Sequence, residues 1–169
     1  MSLRQVSIGE AFKRKYPEQI ALAVSVDAAG RPDAITLGWI MPTSNEPPMV
    51  AISVGHTRYS HELIGKSGEF VLVFPSTAQA EACMICGTKS GRDTDKIAAA
   101  ALRTAPARLV RPPLIEGAVA NFECRVRGTL VSGDHTIFAA EVVAAHVDDA
   151  AGERVFNFAG KFLAAGPRR

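Results

Sequence analysis

The chain has 169 residues, of which 47% are hydrophobic and 21% charged, and its formal net charge is +2. This length fits one domain with a sizeable core, and the composition is that of a globular chain rather than a disordered one. The 19 basic and 17 acidic residues are spread along the sequence, so no charged stretch indicates binding to nucleic acid or to a membrane surface.

The sequence also carries no sign of export. Its N-terminal stretch has no apolar core of signal-peptide length, and no later segment approaches a membrane span. We therefore expect a cytoplasmic protein. Cys83, Cys86 and Cys124 are odd in number and too few for a disulfide framework, so we expect reduced thiols.

The first half of the chain alternates strand patterns with turns and short helices. The alternation Ile20, Leu22, Val24, Val26 predicts a half-buried strand, and Gly30 and Pro32 supply the following turn. Further strands are predicted at 34–41, 49–54 and 69–75, short helices at 58–68, 76–87 and 95–103, and a proline-rich loop at 42–48.

The last third predicts a long hairpin with one apolar and one polar face. Phe122, Cys124, Val126 and Leu130 alternate with polar residues, and a similar period returns after the turn at 131–135. Closing such strands into a barrel would remove exposed sheet edges. A fold made mainly of β-strands follows.

The spacing Cys83-x-x-Cys86 is found in redox dithiols and in half of a zinc site. His56 and His61 could complete a zinc set, which would make the chain a structural or interaction module. Packing on an alanine-rich helix explains the pair more simply, so the preferred prediction includes no metal, and a redox dithiol stays a minor alternative.

Two loops combine hydroxyl groups with cations at predicted helix starts, where free N–H groups suit an anion. One is Thr57-Arg58-Tyr59-Ser60, and the other runs from Ser90-Gly91-Arg92 to Lys96. Each loop alone is explained better by helix capping, through Ser60 in the first and through Asp93 or Asp95 in the second. Together, they favour a shared phosphate.

Several motifs in one order make the sequence resemble the flavin-reductase-like, FMN-binding split-barrel family, in its flavoredoxin-like branch. They are GRPDAITLGWIMPTS, EPPMVAISV, RYSHELIGKSGEFVLVFP, CGTKSGRDTDK, PPLIEGAVANFECRV and GDHTIFAAEV. The resemblance implies a single domain over residues 1–169. Its fold would be a mainly β, Greek-key-like FMN-binding split β-barrel with a few short helices.

The resemblance also implies a set of cofactor-binding residues. Thr36, Trp39, Thr43 and Ser44 would border the flavin rings. The residues that would approach the ribityl phosphate are Arg58, Tyr59, Ser60, Ser90 and Lys96. His135 would lie near the cofactor. His135 is also the one candidate for a catalytic role. At Asp33 the family commonly has asparagine. A carboxylate cannot donate to a flavin carbonyl and would repel phosphate, which argues against a direct cofactor contact there.

The implied function is hydride transfer from NAD(P)H to a bound flavin, with FMN expected, FAD open, and the choice of NADH or NADPH undetermined. The alternative is a flavoredoxin-type carrier that holds FMN and passes electrons between proteins. The resemblance further implies a homodimer, with free flavin or a protein as electron acceptor. Neither nucleic acid nor a membrane is an expected partner.

Overall fold

The computed structural model describes residues 3–164. Its helices are α1 (Ile8–Phe12), α2 (Tyr59–Ser67), α3 (Ala80–Thr88) and α4 (Lys96–Ala99), with a 3₁₀ turn at Thr77–Gln79. Its strands are β1 (Glu18–Gln19), β2 (Ala21–Val26), β3 (Pro32–Leu37), β4 (Ile40–Asn45), β5 (Pro48–Gly55), β6 (Glu69–Phe74), β7 (Thr104–Ala105), β8 (Leu114–Ile115), β9 (Ala120–Ser132), β10 (His135–Val147), β11 (Val155–Phe158) and β12 (Lys161–Ala164). The expectation of a mainly β chain with short helices is confirmed.

The main sheet has seven strands in the order β3-β2-β6-β9-β10-β5-β4, and its pairs are antiparallel. Strands β3 and β4 are the two outer strands, yet only Gly38 and Trp39 separate them in the chain. The sheet must therefore curl so that its two edge strands come close at this point without pairing, which produces the split-barrel shape. We call the place where β3 passes into β4 the seam.

Two apolar clusters stabilise this curl, one on each face of the sheet. The inner cluster includes Ile35, Ile52 and Phe70, and the outer cluster packs Leu22 and Val24 against α3 and the segment around β8. All six residues of β2 are buried. The prediction of a half-buried strand was wrong, because covering segments that are distant in sequence bury its second face.

Two local predictions in the first half also need correction. Residues 42–48 are not a loop throughout, since β4 and β5 form a hairpin that includes Pro42 and Pro48 and turns at Glu46 and Pro47. Strand β4 lies at the sheet edge, where a missing N–H donor is tolerated. The alanine-rich helix covers one turn and ends at Ala99, two residues before Ala101 adopts a positive φ of 49°.

The predicted long hairpin is confirmed as β9 and β10, but its faces differ from the prediction. Asn121 and Glu123, assigned to a polar face, are 6% and 0% exposed because the segment preceding β9 covers them. Leu130, assigned to the apolar face, is 63% exposed near the hairpin tip. Within residues 3–164, no helix has the length and apolar character needed to cross a bilayer.

Candidate functional site

A cavity of about 180 Å³ opens at the seam, and we call it the seam cavity. Gly38 and Trp39, which join β3 to β4, line this cavity. The cavity therefore lies where the curl of the sheet brings its two edge strands close. Its lining comes from five separate parts of the fold: Glu18, Ile35, Thr36, Leu37, Gly38, Trp39, Ser53, Gly55, Arg58, Gly87 and His135. Thr36, Trp39, Arg58 and His135 had been predicted as site residues.

Two rings form the outer wall of the seam cavity. The ring centroids of Trp39 and His135 lie 4.8 Å apart at a tilt of 39°, and Trp39 is 51% exposed. His135 Nδ1 lies 2.6 Å from Asp134 Oδ1, which fixes the imidazole and lowers the pKa of Asp134 below its usual value. The opposite ring nitrogen faces Gly55, where an added Cβ would lie 3.4 Å from it.

The hydroxyl of Thr36 is already used by the protein. Its Oγ1 donates a hydrogen bond to the carbonyl oxygen of Cys83 at 2.6 Å, which ties β3 to α3. A Cβ on Gly87 would lie 3.3 Å from Thr36 Cβ, so helix and strand approach closely at this point. Thr36 therefore shapes the cavity wall and has no second proton to donate to a ligand.

A second cavity, of about 110 Å³, lies between the two loops that the sequence singled out, and we call it the loop cavity. Its lining is Ile35, Thr57, Arg58, Tyr59, Ser60, Cys86, Gly87, Thr88, Lys89, Ser90, Gly91 and Lys96. Ile35, Arg58 and Gly87 line both cavities. The two hollows thus form one groove, and its length runs from the seam to the loops.

Arg58 stands where the two cavities meet. It is exposed, and its guanidinium forms no ion pair or hydrogen bond within the part of the chain that the structure describes. It precedes the nine-residue helix α2, whose first N–H groups have no intrahelical acceptor. A free cation beside the start of a helix suits an anionic group.

Lys96 and Ser60 are both buried and both contact Asp33. Lys96 Nζ lies 2.9 Å from Asp33 Oδ1, as an ion pair rather than an aligned hydrogen bond. Ser60 Oγ donates to Asp33 Oδ2 at 2.6 Å. Ser60 therefore does not cap α2, as had been an alternative, whereas Asp95 does cap α4 by accepting from the N–H of Ala98.

Arg92, from the same motif as Lys96, is engaged elsewhere. Its guanidinium contacts Glu62 at 3.2 Å and the carbonyl oxygen of Thr57 at 3.3 Å, and it lies 5.1 Å from the centre of the Tyr59 ring. These contacts join the two loops to each other. Arg92 is thus a connection between the loops and does not line the loop cavity.

Two predicted site residues lie away from the groove. Thr43 and Ser44 belong to β4, and neither lines the seam cavity or the loop cavity. Ser44 instead borders an apolar depression with Met41, Met49 and Phe74. The reason is that residues 42–48 form a hairpin, which carries both hydroxyls along the sheet edge.

The cysteines and histidines do not support the zinc or dithiol alternatives. Cys83 and Cys86 are buried thiols, and burial raises their pKa values to about 12 and about 11. His61 Nε2 contacts the hydroxyl of Thr136 at 2.9 Å. Across residues 3–164, no three His, Cys, Asp or Glu side chains are placed to hold a metal ion together.

Sequence reasoning missed the contribution of Glu18 and of the glycines at the groove. Glu18 is held by an ion pair with Lys15 and lines the seam cavity. A Cβ on Gly38 would come within 2.6 Å of the Glu18 side chain. The pattern around Gly38 suggested a continuous strand, and nothing in it indicated that a distant carboxylate would lie against the backbone.

Comparison with known proteins defines the class to which this fold and groove belong. Residues 13–166 match the family described as flavin reductase like domain. The chain belongs to this family, as the resemblance had predicted.

The chain is also similar to particular proteins in sequence or in fold. The chain is 34% identical over 128 residues to an uncharacterized protein of Archaeoglobus fulgidus, covering 76% of this chain and 71% of the relative. It is 27% identical over 142 residues to the NADH-dependent FMN reductase AsuE2 of Streptomyces nodosus subsp. asukaensis, covering 82% and 74%. The structure of flavoredoxin from Methanosarcina acetivorans superposes with a TM-score of 0.86 at 21% identity, covering 100% and 94% of the two chains.

Proposed function

We propose that this protein binds FMN along the groove and reduces it with NAD(P)H. The phosphate end would lie in the loop cavity, and the ring end in the seam cavity. The observation that carries this proposal is the unpaired guanidinium of Arg58 at the point where both cavities meet. A long ligand with one anionic end and one flat end suits such a groove.

The residues present fit a flavin phosphate by their chemistry. Arg58 supplies a cation with several N–H donors, and the start of α2 supplies backbone N–H groups beside it. Ser90 and Lys89 line the same cavity from the opposite loop. Charge-assisted hydrogen bonds of this kind each contribute about 1.5–3 kcal/mol.

The ring end would be shaped by apolar and aromatic groups. Ile35 and Leu37 supply an apolar floor, and Trp39 with His135 closes one side. When bound, a flavin supplies an acceptor for hydride from a nicotinamide, so the protein need only orient the two rings and exclude water. His135 is suited to stabilise negative charge on the ring, because an imidazole N–H can donate a hydrogen bond to it.

The relative named as an NADH-dependent FMN reductase supports the reductase function, and the family membership supports flavin chemistry at a coarser level. A protein that only carries electrons on FMN is the second candidate, and the likeness to a flavoredoxin structure favours keeping it. FAD would require room beyond the phosphate. FMN, whose chain ends at the phosphate, is therefore the flavin proposed for this groove.

The anaerobic addition of NADH or NADPH to flavin-loaded protein separates these two candidates. A reductase bleaches the flavin absorption near 450 nm within seconds, at a rate that saturates with nicotinamide concentration. A carrier leaves the absorption unchanged until a reducing protein is added. Free flavin at the same concentration, without protein, is the control for direct reduction.

We extend the proposal to a homodimer. Met41 is 54% exposed and borders an apolar depression of about 280 Å³ that also includes Met49, Phe74 and Phe122. A second copy covering this face would remove the apolar surface from water. Sedimentation of the purified protein gives the mass that tests this, and a mass of one 17.9 kDa chain would contradict it.

A further inference from the structure

We propose that Asp33 weakens the protein's hold on the flavin phosphate, so that the flavin is an exchangeable ligand rather than a permanently bound group. This inference rests on the proposed function and assigns a role to a residue that does not line the loop cavity. Its basis is the buried contact between Asp33 and Lys96. Asp33 is thereby an affinity-setting residue that acts through its neighbour.

The first observation is that each oxygen of the Asp33 carboxylate has one partner, an ion-pair contact at Oδ1 and a hydrogen bond at Oδ2. Lys96 and Asp33 are each 3% exposed, and the ammonium lies 2.9 Å from Oδ1. Ser60 donates to Oδ2 at 2.6 Å. Two residues that line the loop cavity are therefore held from behind by one carboxylate, which anchors them to β3.

The second observation is that the surrounding backbone is built around this carboxylate. An added Cβ at Gly91 would lie 2.1 Å from Asp33 Oδ1 and 2.8 Å from Tyr59 Cδ1. Only a residue without a side chain can occupy that position while the loop stays in place. The loop of Gly91 therefore packs directly on the Asp33 carboxylate, which holds the ion pair in a fixed position behind the cavity wall.

The third observation is the charge that remains at the loop cavity. Arg58, Lys89 and Lys96 are the basic residues of its lining. Lys96 is neutralised by Asp33, whereas Arg58 and Lys89 form no ion pair within the described residues. Arg92 does not line this cavity, and it pairs with Glu62, a carboxylate that it shares with Lys66. The cavity thus offers two free cations, and its third cation is cancelled.

The consequence for a bound phosphate is a lower affinity. A carboxylate one contact behind the wall repels a dianion and reduces the attraction that Lys96 would otherwise exert, and this effect is large in a partly desolvated site. A flavin that is held less tightly can leave after reduction. That property suits an enzyme that supplies reduced flavin to another acceptor.

The test compares Asp33→Asn with the wild type in titrations with riboflavin 5′-phosphate and with riboflavin, followed by quenching of flavin fluorescence. Asparagine keeps the shape and still accepts from Ser60, but it frees the charge of Lys96. We expect the Kd for riboflavin 5′-phosphate to fall about tenfold, with a steeper dependence on salt, and the Kd for riboflavin to stay within about twofold. Asp93→Asn is the matched control, since Asp93 shares a neighbouring depression with Asp33 but does not contact Lys96.

A Kd for riboflavin 5′-phosphate that is unchanged or raised in Asp33→Asn overturns the inference alone. If the wild type binds neither flavin, the proposed function is wrong as well. Should Asp33→Asn fail to fold, the double variant Asp33→Leu with Lys96→Met removes both charges together. We expect it to bind riboflavin 5′-phosphate within about threefold of the wild type, and a much larger loss would show that Lys96 is not neutralised.

Discussion

Replacing Glu123 with alanine is expected to destabilise the protein by about 3–5 kcal/mol, the usual cost of breaking a buried charged network. Glu123 is 0% exposed on β9. Its carboxylate accepts the backbone N–H groups of Arg108, Leu109 and Val110 at 3.0, 2.6 and 3.1 Å, and it contacts His146 Nε2 at 2.7 Å. Without it, this segment loses its attachment to the sheet, and three donors lose their acceptor.

Urea unfolding followed by far-ultraviolet circular dichroism measures this loss. The matched control is Glu141→Ala, because Glu141 pairs with Arg127 at 2.7 Å on the surface, where both side chains are partly exposed. We expect that control to cost about 1 kcal/mol or less. Similar midpoints for the two variants would show that Glu123 does not hold the segment.

Lowering the pH should weaken the stabilisation that Glu123 provides. Burial alone would raise the pKa of Glu123, but the three backbone donors and His146 outweigh it and lower the pKa below its ordinary value. A lowered pKa in the folded state means that the stabilisation is complete above the unfolded value and is lost as pH falls through the folded one. The difference in stability between the wild type and Glu123→Gln should therefore shrink on acidification below about pH 4.5.

Lys96→Ala is expected to weaken binding of riboflavin 5′-phosphate about a hundredfold, whereas Arg92→Ala changes it only about threefold. The reason is that removing Lys96 leaves Asp33 as an uncompensated buried carboxylate beside the proposed phosphate position. Arg92 contacts Glu62 and Thr57 and does not line the loop cavity. Fluorescence titration at constant salt compares the two variants.

A second substitution separates this explanation from simple loss of a ligand. Adding Asp33→Asn to Lys96→Ala removes the uncompensated charge, so it should restore most of the lost affinity. Equal losses in Lys96→Ala and Arg92→Ala would remove Lys96 from the site. Failure of the second substitution to restore binding would instead mean that Lys96 itself contacts the phosphate.

Local patterns in the sequence were sufficient for the elements that depend on neighbouring residues. The hairpin of β9 and β10 follows from period-two alternation around a Gly-Asp turn, and α2 ends where Gly68 adopts a positive φ of 67°. The prediction for the alanine-rich stretch was too long, because high helix propensity did not extend α4 beyond Ala99, and Ala101 adopts a positive φ. The buried state of β2 depends on α3 and β8, which lie far along the chain.

The sequence predicted the loops of the candidate site, but it did not predict the ion pair that Lys96 forms with Asp33. Arg58 and Lys96 were identified because cations near glycine turns and helix starts suggest an anion, and both line the loop cavity. That Asp33 would neutralise Lys96 could not be read from the sequence, since the contact forms only when β3 and α4 come together. Thr43 was predicted in a loop but lies on β4, because a proline-rich stretch at a sheet edge can form a strand.

The most direct measurement is a titration of the purified protein with riboflavin 5′-phosphate and, separately, with riboflavin, recorded by absorption and flavin fluorescence. If Arg58 and the start of α2 hold the anionic end in the groove, the phosphorylated flavin saturates the protein at one per chain and binds at least about tenfold more tightly than riboflavin. A colourless protein that binds neither flavin, or that binds both equally, would contradict this assignment of the groove.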